Sequence, residues 1–485
     1  MSRLDAVVVG SGPNGLAAAV TLARAGLSVK VFEAAEHYGG GCRTAELTLP
    51  GFLHDTCSAV HPMAFASEFF QRFQLTERVP FVTPDASYAH PLDGGRAAIA
   101  YRDVRRTAAE LGVDGPAWRS LFAPLARNHR KLGALIGDSL VGIPPHPLVM
   151  ARFGLRVLEQ GGAGWNARWK QDAAPALLTG VMAHAVLGLP SLGASATGMM
   201  LASFAHGEGW PIPVGGSGRI VAALADDLLA AGGEIVCGHP VRSLRDLPES
   251  RVVLFDTSAR AAASIGRDRI SWRHRAALRR LKYGNAVAKV DFALSGPVPW
   301  TNSRIAEAGV VHVGGTREQI RRAENTVAAG KHAERPYVMV AQPTRFDSTR
   351  APGSGHTLWT YTHVPPGSTL DQTETIIRQL ERFAPGFREL IVGSASSTAA
   401  DLAGYNANYI EGDIASGAGS FAQLLARPTL SPNPWRLGGG GMYLCSSSAA
   451  PGPGVHGLSG WRAARSALRH DFGIPHSPDL SMRSL

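Results

Sequence analysis

The sequence predicts an α/β fold built on a doubly wound parallel sheet, and three features near its start carry that prediction. Residues 6–9 are a β-branched apolar run ending on Gly10, which reads as a buried parallel strand. Residues 16–26 have helical spacing and close on Gly26, in the C-cap position. Residues 28–32 form a second strand-like run, so the three segments make a β-α-β unit, the opening of a doubly wound sheet.

The turn inside that unit is Gly10-Ser11-Gly12-Pro13-Asn14-Gly15. Gly10 permits a tight turn, Gly12 lets the backbone approach a pyrophosphate, and Gly15 lets the helix pack on the strand. The helix N-terminus adds free N–H groups and partial positive charge. Glu33 ends the second strand, where a carboxylate can accept hydrogen bonds from a ribose hydroxyl. Strand, glycine turn, helix and acid together predict a Rossmann-type dinucleotide site. Just beyond comes Tyr38-Gly39-Gly40-Gly41-Cys42-Arg43-Thr44. Its glycine amides can crowd an anion and Arg43 can add a charge-assisted bond. A second anion loop so soon after Glu33 suits a dinucleotide with a long body. The expected cofactor is therefore FAD rather than NAD, with Gly40, Gly41, Arg43 and Thr44 in its site.

Further along, residues 64–170 read as helical, with loops around Pro84 and Pro144–Pro147. Residues 173–207 contain no Asp, Glu, Lys or Arg, and Pro190 divides them into two buried helices. That stretch is core, a wall for an apolar substrate, or a membrane-facing patch. A helix is expected over 220–232, and strands over 234–237, 251–255, 287–294, 337–342 and 442–445. Pieces of two domains thus alternate. The expected division is a dinucleotide domain from 1–63, 209–282 and 401–485, a helical cap at 64–208, and a substrate-domain sheet at 283–400.

Composition sets the outer limits. With 485 residues, 45% hydrophobic and 18% charged, the chain has room for two or three domains and is not of the disordered class. Four cysteines without a CxxC predict unpaired thiols in a reducing compartment and no metal site. Residues 6–9 are too short for a secretory core, so a cytoplasmic protein is expected. The formal charge of +10 is densest at Arg267, Arg269, Arg273, Arg275, Arg279, Arg280 and Lys282. Interleaved Ala276, Ala277, Leu278 and Leu281 make this one amphipathic helix with a solvated face. No nucleic-acid motif accompanies it, so no nucleic acid is expected as partner. Peripheral attachment to an anionic membrane is the alternative use for such charge.

At this point the chain resembles the phytoene-desaturase-like flavoproteins. The likeness rests on Glu33, the run Gly39 to Phe52, His54-Asp55 and Cys57-Ser58-Ala59-Val60-His61-Pro62. It recurs at Gly209-Trp210-Pro211 through Ser217, Asp256-Thr257-Ser258, Tyr283-Gly284 through Lys289-Val290-Asp291, Gly412-Asp413-Ile414, Arg427-Pro428 and Tyr443 to Ser448. The branch is that of the carotenoid-dehydrogenase-like proteins related to pyridine nucleotide-disulphide oxidoreductase domain-containing proteins. The resemblance implies a glutathione-reductase-like two-domain flavoprotein with an interleaved substrate domain of mixed sheet and helices. It places the backbone of Val241 at the adenine. It also sets Gly454, Val455 and His456, within Pro451-Gly452-Pro453-Gly454-Val455-His456-Gly457, beside the flavin ring. A helix from 461–468 would then stabilise reduced flavin by its positive end. The family has three glycines where this chain has Gly452-Pro453-Gly454, so Pro453 removes one amide contact.

Asp256 is either a contact to the adenosine half or a cap. His61, Trp210, Asp413 and His456 are the pocket candidates, although packing roles are the default for His61, His184, His206 and His456, and capping for Asp413. No Ser/His/Asp or Cys/His constellation emerges. The expected activity is a dehydrogenase or desaturase, moving hydride from a C–H of an apolar, isoprenoid- or carotenoid-like molecule to flavin N5. Oxygen or a quinone is the expected electron acceptor. The alternatives are a flavin-dependent amine oxidase and, from another class, an FAD-binding isomerase or assembly protein.

Overall fold

The computed structural model describes residues 3–142 and 144–482. Its main strands run as β1 (Leu4–Val9), β2 (Val29–Phe32), β3 (Ala86–Leu92), β4 (Arg96–Tyr101), β5 (Glu234–Val236) and β6 (Ser250–Phe255). They continue as β7 (Ala286–Leu294), β8 (Ala308–Val313), β9 (Val338–Ala341), β10 (His356–Val364), β11 (Ile391–Ser397) and β12 (Met442–Leu444). The helices that matter most are α1 (Pro13–Arg24), α2 (Pro147–Gly161), α3 (Ala173–Met182), α4 (Leu192–Ala205), α5 (Gly218–Ala230), α6 (Arg317–Ala328) and α7 (Leu458–Asp471).

Five strands form a wholly parallel sheet in the order β12-β6-β1-β2-β5. Its centre is apolar on both faces, as buried parallel strands require: Ala6, Val7 and Val8 have no exposed surface. Helix α1 packs against both α5 and α7. A second sheet of seven strands has the order β11-β7-β10-β9-β8-β3-β4. It is antiparallel except where β8 and β3 run side by side in parallel. Alternation sorts its residues cleanly. Val290, Phe292, Val338, Val340 and Leu358 join one apolar cluster, while Val287, Met339, Ala341, Trp359 and Tyr361 join the cluster under α3 and α4.

A buried ion pair ties the two halves together. Arg350, between β9 and β10, donates to Asp55 Oδ2 at 2.7 Å, and neither side chain is exposed. Asp55 lies in a short ribbon, Thr44–Glu46 with Leu53–Asp55, and also accepts from Thr44 Oγ1 and Ser217 N–H. Such a pair fixes register strongly, because losing one partner strands a buried charge.

Two expectations are corrected. Residues 64–170 are not helical throughout: β3 and β4 form a hairpin of the second sheet there. The run ASYAHPL lacks β-branched residues, which hid the strand. The loop Asp93-Gly94-Gly95, with φ of 76° at Gly94 and 72° at Gly95, was the readable hairpin signal. The basic segment is also not a single helix. A helix ends at Ile265, and a second runs from Trp272 to Arg280 behind the N-cap Ser271, leaving Arg267 and Arg269 in the turn between. The uncharged stretch 173–207 is interior, as α3 and α4. Among the described residues no helix is long and apolar enough to cross a membrane.

Candidate functional site

The glycine turn sits at the top of β1, where the backbone can go only because side chains are missing. At Gly10, φ is 98° and a Cβ would stand 2.4 Å from the Asp256 carbonyl oxygen. Gly40, across the turn, brings its own backbone so near Gly12 that a Cβ there would lie 3.1 Å from the Gly12 Cα. Two glycine loops thus face each other over the N-terminus of α1, forming a cradle that any side chain would fill.

Glu33 and Asp256 brace this cradle from either side. Glu33 Oε2 accepts from Ser11 N–H at 3.0 Å and from Ser11 Oγ, and its Oε1 accepts from Ala35 N–H. Asp256, at the end of β6, accepts from Gly15 N–H at 2.9 Å. Burial pushes its carboxyl up to about 7, partly offset by that N–H and reinforced by Glu33. Capping of the next helix falls to Ser258 rather than to Asp256. Asn14 Oδ1 is buried and has no partner among the described residues.

The segments expected at the adenosine and flavin ends lie against the end of β2 and against α1 respectively. The segment after β5 is tied to the acid strand by Gly238 N–H to Ala35 O and His239 N–H to Glu33 O, which holds Val241 nearby in sequence. At the other end, α7 starts at Gly457 with φ of 65° and runs directly over α1. A Cβ at Gly460 would lie 1.8 Å from the Asn14 carbonyl oxygen, so only glycine lets these helices meet. The contact sets the first turn of α7 against the first turns of α1.

The remaining cofactor candidates divide. Arg43 Nε donates to Gly40 O and its guanidinium lies 4.5 Å from the Tyr405 ring, so it stiffens the second glycine loop. Thr44 bonds Asp55 and Gly218 N–H, an anchoring role. At Gly41 a Cβ would meet the Tyr409 hydroxyl at 2.0 Å, so this glycine admits Tyr409, which sequence reading had not singled out.

The pocket candidates are held by local contacts. His61 bonds Ser217 Oγ at 2.8 Å, and burial lowers it to about 4. Trp210 donates to Leu201 O and packs on Tyr88. Asp413 accepts from the N–H groups of Gly284, Ala415 and Gly417, and burial raises its carboxyl. His456 Nδ1 accepts from Leu458 N–H while Nε2 donates to Gly452 O at 3.1 Å. Burial lowers this imidazole to about 4, so it stays neutral and shapes the loop.

A different set of polar groups faces inward from the second sheet. On β7, Lys289 pairs with Asp291, both buried, and lies 5.7 Å from the Trp359 ring. On β10, His363 Nδ1 is 2.8 Å from both carboxylate oxygens of Glu324 on α6, while its Nε2 is buried without a partner. Tyr88 Oη and Trp359 Nε1 are likewise buried and unpartnered. The resemblance covered Lys289 and Asp291 but gave them no role. Charged residues at alternate positions of an otherwise apolar strand were the available signal.

Facing glycine loops, an acid at the end of β2 and two helix N-termini define an FAD-dependent oxidoreductase. The chain belongs to the flavin containing amine oxidoreductase family, whose pattern matches residues 14–468. Pyridine nucleotide-disulfide oxidoreductase domain-containing protein 2 of Rattus norvegicus is 25% identical, over 96% of this chain and 93% of its own length. This agrees with the branch expected from sequence. Two solved structures share the fold. Putrescine oxidase bound to putrescine has a TM-score of 0.60 at 17% identity, covering 97% of this chain and 100% of its own. Cyclohexylamine oxidase from Brevibacterium oxydans has 0.57 at 16%, covering 98% and 99%.

Proposed function

We propose that the chain dehydrogenates a small molecule with a largely apolar body, isoprenoid-like in character, at a C–H bond held against the inward face of the second sheet. The observation that carries this reading is the composition of that face. Val287, Val310, Met339, Ala341, Trp359 and Tyr361 lie under the uncharged helices α3 and α4. A wall of this kind favours an apolar guest, because unpaired charge would be costly there.

Bound FAD supplies hydride acceptance at N5. The cradle of Gly10–Gly15 and Gly39–Gly41 would hold the diphosphate, and Glu33 the ribose. The apolar wall excludes water and orients the reacting carbon. Two polar pairs interrupt the wall. Lys289 and Asp291 neutralise each other, so this pair adds no net charge to the face. His363, fixed by Glu324, has Nε2 available to hold or take a proton from a polar group on the guest. Oxygen or a quinone would serve as the electron acceptor.

An amine is the second reading. It is supported by the family description and by Glu324, a buried carboxylate that could balance an ammonium through His363. Anaerobic flavin bleaching separates the two. Isoprenoid alcohols or hydrocarbons in detergent should bleach the flavin, and putrescine or cyclohexylamine in buffer should not. Rapid bleaching by the amines with none by any isoprenoid would replace the first reading with the second.

A further inference from the structure

Two surface grooves of about 720 Å³ each adjoin one another and share Pro124. One runs beside the helices Val104–Glu110 and Gly115–Ala126, and the other lies along α2. Their walls carry Arg105, Arg119, Arg127, Lys131, Arg152 and Arg156, with no Asp or Glu. Among the described residues only Arg156 of these six has an acidic partner, Glu159 at 2.6 Å. On α2, Leu148, Leu155 and Leu158 are 86%, 65% and 59% exposed. Their spacing sets them on one stripe of the helix, alongside exposed Arg152.

Exposed leucines want an apolar layer, and unpaired cations want an anionic one. Nucleic acid would satisfy the cations and leave the leucines wet. A second copy of this face would cover the leucines but set the same cations against each other. An anionic bilayer meets both demands in depth order, acyl chains beneath phosphates. We propose that α2 and the two grooves are a docking face for anionic phospholipid membrane, with the three leucines in the acyl boundary and the cations among headgroup phosphates. Helix α2 packs on α4, so the face stands one helix layer from the apolar wall. The proposal does not depend on which substrate is oxidised.

Co-sedimentation of the full-length FAD-loaded protein with lipid vesicles tests it. The protein should bind phosphatidylcholine vesicles containing phosphatidylglycerol and bind pure phosphatidylcholine far more weakly. The R119Q/R127Q/K131Q variant should lose about fivefold per cation removed. The L148S/L155S/L158S variant should lose vesicle binding while keeping its flavin content and melting temperature. Failure of the unaltered protein to bind the mixed vesicles would overturn the proposal, as would binding by both triple variants equal to that of the unaltered protein. A lipid-free dimer, seen by light scattering and dissolved by the leucine substitutions, would assign the face to a second copy and overturn it too.

Discussion

Gly460 of α7 rests on the carbonyl oxygen of Asn14 in α1, with room between them for a hydrogen atom and nothing larger. That contact joins the C-terminal loop to the N-terminal glycine turn, although 446 positions separate the two residues (460 minus 14). Gly460→Ala should therefore push α7 away from α1. The expected cost is about 1–3 kcal/mol of stability from overpacking. Flavin occupancy, read by absorbance after purification, should fall as well. Full occupancy with an unchanged melting temperature would show that the helices do not need this approach.

Glu33 and Gly12 answer for the nucleotide half. Glu33→Arg removes the acceptor of Ser11 N–H and Oγ and sets a cation beside α1. Gly12→Val would drive a side chain into Asp256 Oδ2, which stands 2.6 Å from a Cβ there. Both proteins are expected to fold and to lose most of their FAD, by circular dichroism and by flavin absorbance respectively.

Asp256 predicts a pH dependence of known sign. Its folded carboxyl is raised to about 7, above the unfolded value near 4, so the native state binds the extra proton. Its contribution is favourable below the unfolded value and is lost as pH rises towards 7. Asp256→Asn, which keeps an acceptor for Gly15 N–H, removes that loss. Chemical denaturation should show the variant gaining on the unaltered protein from pH 4 to pH 8, by on the order of 2–4 kcal/mol. A gap that stays constant across this range would mean that Asp256 is ionised throughout.

Arg350 and Asp55 give a structural test. Arg350→Met leaves a carboxylate buried without its cation and should cost about 3–5 kcal/mol in denaturant unfolding. Adding Asp55→Asn should recover part of that loss. A double variant that loses the sum of the two single losses would show that the pair does not act as a unit.

His363 carries the chemical prediction. His363→Phe keeps the stack on Tyr337, whose ring centroid is 5.2 Å away, and should leave FAD bound. Substrate-driven flavin reduction should slow by about 10²-fold. An unchanged rate of flavin reduction would confine His363 to packing.

The parallel sheet and its glycine turn were legible because strand, turn, helix and acid are contiguous in residues 4–33, where local spacing encodes the site. The loops at Gly39–Gly41 and Gly454–His456 were legible as motifs, but the approach of α7 to α1 depends on Gly460, which no local pattern marks. The second sheet was half hidden. Strand β3, with the sequence ASYAHPL, has no β-branched residue, and β8 and β10 pair with strands distant in sequence. The inward polar pairs escaped for the same reason. Lys289 and Asp291 share one strand, whereas His363 finds Glu324 only once α6 packs on β10.

The most direct test of the account is the visible spectrum of the purified protein, followed by anaerobic addition of substrate and by the same experiment on Gly40→Val. The account predicts bound FAD that bleaches with an apolar-bodied substrate, and a Gly40→Val protein that folds without flavin. A colourless protein that cannot be reconstituted with FAD, or a Gly40→Val variant with its flavin intact, would contradict it.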